Sequence, residues 1–163
     1  MKKELFFLRS SEQKIVSDMI RYAHPEDSDN LSIYSDFYGL TRKDLGLYAL
    51  VDNEIAGAVW IRRMNKEHNA KGFIDEDTPV LSVAVVPKFR GKKIGIFMME
   101  QFLQEAAALY EQISVSIVED SPAIKFYKKL GFERYNDYIM VKKLDKKEVI
   151  RPSDSYDSSR WMD

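Results

Sequence analysis

The stretch from Val80 to Gly95 constrains this chain more than any other. Val80-Leu-Ser-Val-Ala-Val-Val86 is apolar and β-branched, the composition of a strand buried on both faces. Pro87 has no N–H to offer a ladder, so the strand must stop there. After a basic turn, the apolar residues recur at Ile94, Phe97 or Met98, Phe102, Ala106 and Leu109. That is the period of a helix with one face on a core. Arg90, Gly91, Lys92, Lys93, Ile94 and Gly95 therefore occupy a strand-to-helix junction. The N–H groups of the first helical turn have no partner within the helix there, and the positive end of its dipole lies beside three cationic side chains. Together these features make an anion site.

Composition closes off several function classes. The 163 residues suit one domain, and 45% hydrophobic with 31% charged residues is globular in character. A formal net charge of -1 argues against a general nucleic-acid or membrane-surface role, since both need a basic excess. There is no cysteine, which excludes disulfides and thiol nucleophiles. The two histidines, His24 and His68, are too few for a zinc site. The apolar run near the N-terminus is too short for a signal peptide or a membrane span, so a cytoplasmic setting is expected.

In chain order, Leu5 to Arg9 is expected as a strand, followed by a helix capped at Ser10 or Ser11 with Ile15, Met19, Ile20 and Ala23 inward. Pro25 ends that helix, and Glu26 to Asn30 reads as an acidic loop. Tyr34, Phe37, Tyr38 and Leu40 point to a second, irregular helix ending near Gly39 or Thr41. Leu45 to Val51 and Glu54 to Met64 form a hairpin about Asp52-Asn53, a pair that tolerates left-handed dihedrals. A polar connection, 65–79, precedes the central strand. Ile113, Val115 and Ile117 alternate as the next strand. Ser121-Pro122 opens a helix whose inner face is Ala123, Phe126 or Tyr127, and Leu130, with Gly131 as its left-handed terminator. Phe132 to Tyr135 and Tyr138 to Leu144 close the sheet. The domain is set at 1–144, and 145–163 is a polar tail that Tyr156 or Trp161 could anchor on this chain or a neighbour.

Two segments carry a family resemblance. Val85-x-Pro87-x-x-Arg90-Gly-Lys-Lys-Ile-Gly95 resembles the acyl-CoA pyrophosphate loop of the GNAT N-acetyltransferases, Gln/Arg-x-x-Gly-x-Gly/Ala. Lys93 stands at the first glycine of that signature; in right-handed helical geometry a lysine there would need no glycine. Ser121-Pro-Ala-Ile-Lys-Phe-Tyr127-Lys-Lys-Leu-Gly-Phe132 resembles the same family's Asn-x-Ala-x-x-x-Tyr-x-x-x-Gly-Phe segment, with Ser121 for the asparagine. The two occur in the family's order, each at a strand–helix junction.

The resemblance implies an α/β (α+β) single-domain acyl-CoA N-acyltransferase fold, with a mixed, mostly antiparallel twisted sheet flanked by helices. It implies acetyl-CoA as cosubstrate, with no metal, and a primary amine on a small molecule or protein as acceptor. The backbone of Val83, Ala84 and Val85 would bind the pantetheine arm, Arg90 to Gly95 the pyrophosphate, and Ser121 a polar group of the cofactor. Tyr127 would protonate the CoA thiolate, a phenol of pKa near 10 serving a thiol of about 8.5. A non-catalytic acyl-CoA sensor is the alternative, though it leaves Tyr127 without a purpose. The central strand has no carboxylate, so Asp75, Glu76, Asp77 or water alone is expected as the base. Glu26, Asp27, Asp29, Asp75 to Asp77 and Glu119-Asp120 would favour a cationic acceptor. The sequence is compatible with a monomer or a homodimer.

Overall fold

A computed structural model of the chain describes residues 1–35, 44–151 and 156–157. The elements are β1 (Lys3–Phe7), α1 (Gln13–Ala23), α2 (Ser32–Ser35), β2 (Leu45–Val51), β3 (Glu54–Arg62), β4 (Val80–Val85), α3 (Ile94–Ala107), β5 (Gln112–Ser116), α4 (Ala123–Lys129), β6 (Glu133–Asn136), β7 (Ile139–Lys143) and β8 (Tyr156–Asp157). They build one sheet in the order β6-β7-β5-β4-β3-β2-β1-β8. Pairing is antiparallel except at β4–β5 and β1–β8. The mixed, mostly antiparallel α/β architecture is thus the one expected. The stretch containing Phe37, Tyr38, Gly39, Leu40 and Thr41, and Trp161, lie outside the described residues.

The β2–β3 hairpin forms for the anticipated reason: Asp52 and Asn53 adopt φ of 50° and 68°. Paired left-handed residues match the twist of the strands they join. Alternation then divides the sheet between two cores. Leu45, Leu47, Ala49 and Val51 face α3 residues such as Met98, Met99 and Phe102. Tyr48, Ala58 and Trp60 face Val16, Met19 and Ile20 of α1. On α1, Val16 is buried, whereas Ile15 and Ala23 are only partly so. On α4, Ile124 and Tyr127 take the interior and Ala123 stays half-buried. Met19, Ile20 and Tyr127 are buried as expected, so the differences are confined to single positions at the edges of each face.

Past β7, Ile150 N–H donates to Gln104 Oε1 of α3 at 2.8 Å. Arg151 forms two hydrogen bonds with the buried Glu105 carboxylate, at 2.9 and 2.8 Å, and β8 pairs in parallel with Leu5 and Phe6.

Close approach makes one glycine in β3 sensitive. A Cβ on Gly57 would lie 2.4 Å from the Ala84 carbonyl oxygen of β4 and 3.1 Å from Met98 Cε. Gly57→Ala is expected to cost about 1–3 kcal/mol, the range of core overpacking, read as a lower urea midpoint at unchanged slope.

Candidate active site

Two parallel strands that ought to pair do not. β4 and β5 share one register pair, Val80↔Ser114, and then separate. β4 keeps β3 along its whole length, and β5 keeps β7. Val86 N–H donates to Ala56 O (2.8 Å). By the alternation of an antiparallel ladder, Ala84 and Ser82 also turn their backbone groups toward β3, while Val83 and Val85 turn theirs to the open side. The open edge therefore presents Val83 and Val85. The Ala84 carbonyl points to Gly57 instead.

Side chains span the gap where backbone does not. The next pair in register after Val80 and Ser114 would be Ser82 and Ser116. Ser82 Oγ lies 2.6 Å from His24 Nε2, His24 Nδ1 lies 3.3 Å from Glu26 Oε1, and Ser116 Oγ donates to the same Oε1 at 2.6 Å. Because the carboxylate can only accept, His24 Nδ1 carries the proton, and in its neutral form the ring accepts from the Ser82 hydroxyl. His24 is 1% exposed and stacks on Tyr34 at 3.7 Å between centroids. Tyr34 donates to the buried Asp27 carboxylate, and its carbonyl accepts from Trp60 Nε1 (2.8 Å). Burial would push the Glu26 carboxyl up, but the hydrogen bonds from His24 and Ser116 outweigh it and hold the group below its ordinary value.

On one side of the gap lies the loop before α3. It lines a depression of about 220 Å³ with Val85, Arg90, Gly91, Lys93, Ile94 and Gly95 among its walls. The first helical bond runs from Phe97 N–H to Lys93 O (3.1 Å), so the N–H groups of Ile94, Gly95 and Ile96 precede any helical acceptor. Arg90 Nε donates to Val85 O at 3.2 Å, folding this side chain back over the end of β4. Lys92 approaches the Phe89 ring at 5.8 Å. Lys93 is not in right-handed geometry: it sits at φ 63°, ψ 23°. This overturns the expectation that no glycine is needed there. The chain makes its turn with Gly91 at φ 77° and Lys93 at 63°, and glycine at the second position would be the unstrained choice. Gly95 serves packing instead, since a Cβ there would meet the Phe126 ring at 3.3 Å.

Tyr127 is 8% exposed, between the Phe126 and Phe132 rings at 5.3 and 5.2 Å. Burial pushes its phenol well above the ordinary value, and the negative charge of Glu26 adds to the shift. It is therefore a more tightly protonated group than a phenol of pKa near 10. Ser121 Oγ accepts from Ala123 N–H (3.2 Å), so its oxygen caps α4.

On the other side of the gap is a pocket of about 520 Å³, lined by Glu26, Lys71, Ser116, Ile117, Val118, Glu119 and Tyr138. Two members of the expected acidic set, Glu26 and Glu119, are in it. Asp27 is consumed by Tyr34. Asp75, Glu76 and Asp77 are at the far end of the sheet, before β4 begins, where Arg63 binds the Glu76 carbonyl (2.9 Å) and the Asp77 carboxylate (3.5 Å). A six-residue strand of roughly 20 Å separates them from the basic loop, so none can act at the gap. Glu26, expected only as one member of the acidic set, is the carboxylate at the gap; its link to Ser116 and, through His24, to Ser82 is carried by no local pattern, because those partners come from β5 and β4. Among the described residues no group of three or more His, Asp or Glu is placed to hold a metal ion, and no helix is long and apolar enough to cross a membrane.

Residues 43–134 match the family profile of the acetyltransferase (GNAT) domain. The chain belongs to the GNAT acetyltransferase family. No curated protein sequence matches it. Solved structures of similar fold include the ribosomal-protein-S18-alanine N-acetyltransferase of Escherichia coli (TM-score 0.62, 14% identity, covering 90% of this chain and 97% of that one). A GNAT-family acetyltransferase of Staphylococcus aureus Mu50 gives 0.62 at 15% identity, over 88% and 100% of the two chains. The PaiA N-acetyltransferase of Thermoplasma acidophilum, solved in complex with coenzyme A, gives 0.59 at 16%, over 88% and 99%.

The left-handed lysine of this GNAT domain yields a prediction. Lys93→Gly should relieve a backbone conformation that costs an L-residue roughly 1–2 kcal/mol, less the entropy glycine loses on folding. A gain of about 1 kcal/mol in urea unfolding is expected; a loss of that size would contradict the assignment of strain.

Proposed function

We propose that this chain transfers the acetyl group of acetyl-CoA to a primary amine, in one direct step within a ternary complex. The observation that carries the reading is the opened β4–β5 edge. Val83 and the Val85 N–H turn to the open side, where an extended pantetheine arm would pair, while Val85 O is taken by Arg90, and the amides of the first α3 turn lie at its end for the pyrophosphate. Arg90, Gly91, Lys92, Lys93, Ile94 and Gly95 would form that cradle. Domain 1–144 carries the chemistry, with 145–163 as an appended segment.

In the reaction, acetyl-CoA and R–NH₃⁺ give R–NH–CO–CH₃, CoA–SH and a proton. The amine nitrogen, having released one proton, adds to the thioester carbonyl carbon. The adduct loses its second proton from nitrogen, the C–S bond breaks with its electron pair going to sulfur, and the thiolate takes up one of the two released protons from water to leave as CoA–SH. Tyr127 would face that sulfur: it feels Glu26, as Tyr34 does, but Tyr34 already donates its hydroxyl hydrogen bond to the Asp27 carboxylate. Its raised pKa makes complete proton transfer to a thiolate of about 8.5 uphill in the free protein. Its contribution is then a hydrogen bond that strengthens as charge grows on sulfur, a stabilisation made chiefly in the transition state.

Thiol release from acetyl-CoA across an amine panel tests the reading. A protein that binds acetyl-CoA yet releases no thiol with any amine would be a sensor. Tyr127→Phe keeps the ring and its packing, and should lower kcat roughly 10²- to 10⁴-fold with KM for acetyl-CoA nearly unchanged. Wild-type kcat in a folded variant would remove the role. Calorimetry should also show Gly91→Val weakening acetyl-CoA binding, because β-branching opposes the positive φ, and Arg90→Ala producing a smaller effect that fades with added salt.

A further inference from the structure

The pocket on the opposite side of the gap from the basic loop has one carboxylate at its floor, apolar walls and a balanced rim. Ser116 and His24 both engage Glu26 Oε1, leaving Oε2 without a side-chain donor among the described residues. Ile117, Val118 and Tyr138 form the walls; Val118 and Tyr138 are 50% and 62% exposed. Glu119 and Lys71 both line the pocket, and Lys71 Nζ donates to the Glu26 backbone carbonyl.

We propose that Glu26 is the docking carboxylate for the acceptor's ammonium, and that the pocket selects primary amines with a single positive charge and an apolar or aromatic body. The inference rests on the acetyltransferase reading for what happens next to the amine, but the docking itself does not. The charged and titratable groups around Glu26 fit it, and Tyr34, which also feels its charge, is occupied by Asp27. His24 and Ser116 donate to the carboxylate, Tyr127 is kept protonated beside it, and Lys71 holds the turn through the backbone. Since Lys71 offsets Glu119, a second or third amine on a polycation finds no further net negative charge. The exposed Val118 and Tyr138 instead reward apolar surface, by about fourfold in affinity for each methylene buried.

The test uses the CoA-bound protein titrated with ethylamine, butylamine, phenethylamine and spermidine by calorimetry, with thiol release from acetyl-CoA measured in parallel. Phenethylamine should bind at least about tenfold more tightly than ethylamine, and spermidine no more tightly than butylamine. Glu26→Gln should weaken phenethylamine about ten- to hundredfold while CoA affinity, the control for folding, is unchanged. Tyr138→Ala alters an exposed side chain and should erase the preference of phenethylamine over butylamine. Unchanged amine binding in Glu26→Gln, or tightest binding of spermidine, would overturn the proposal. Amine binding that depends on Glu26 without thiol release would support the docking site and refute acetyl transfer. Thiol release indifferent to Glu26→Gln would do the reverse.

Discussion

Everything at this site depends on how β4 and β5 are held apart. A parallel pair that loses its ladder leaves backbone donors and acceptors without partners, a cost of about 1–3 kcal/mol for each group kept from water. Here the loss begins at the first register position beyond Val80 and Ser114. At that same level the chain substitutes a side-chain bridge, Ser82–His24–Glu26–Ser116. The bridge sets the width of the gap, because each of its links has a fixed length and the imidazole is clamped against Tyr34. Gly72 supports the same geometry from the loop before β4. Its carbonyl accepts from Ser114 Oγ at 2.7 Å, and a Cβ there would press on Val80 Cγ1 at 3.0 Å and Ser116 N at 3.1 Å.

The basic loop shows a second compromise. Two residues with positive φ, Gly91 and Lys93, bracket Lys92 and turn the chain from the Pro87–Phe89 turn into α3. The strain at Lys93 is small beside what the helix buries. Ile94, Met98, Met99, Phe102 and Ala106 are all essentially inaccessible, and full burial of one large aliphatic or aromatic side chain contributes about 1.5–3 kcal/mol. The core therefore holds the N-terminus of α3 in place, and the amides of Ile94, Gly95 and Ile96 stay oriented whether or not an anion is present.

What the sequence made legible follows from range of interaction. The Asp52-Asn53 hairpin, the strand ending at Pro87 and the Gly131 terminator rest on residues a few positions apart, and periodicity reports those directly. The junction at Arg90 to Gly95 is legible for the same reason, as a strand followed at once by a helix. Lys93 was misjudged because a lysine carries no local mark of left-handed geometry; only the path of the chain into α3 imposes it. Glu26 stands out in the sequence only as one of several loop carboxylates, because its partners are Ser116, ninety positions away, and Ser82, reached through His24. Asp75 to Asp77 looked equivalent in one dimension, yet they precede β4 while the site forms at its other end. The choice of Ala123 over Ile124 was a 100° question on a helix of seven residues, too short for periodicity to settle.

The two faces of the gap carry opposite electrostatic character, and Tyr127 stands where they meet. Burial is the larger reason its phenol is hard to ionise; the charge on Glu26 is the second. An ammonium docked on Glu26 would cancel that second contribution and leave the first. The phenol would then move back toward the range in which it can share its proton with a leaving thiolate, and would do so only while an acceptor occupies the pocket. Without that ammonium, Glu26 adds to the burial that already keeps the Tyr127 phenol hard to ionise. The coupling needs no motion of either side chain, since Coulomb interaction between groups this sheltered from water is strong enough to pass from one face of the sheet to the other. Recognition of an ammonium and the acidity of Tyr127 would thus be tied to one carboxylate, held in place by a serine from the strand that left the ladder.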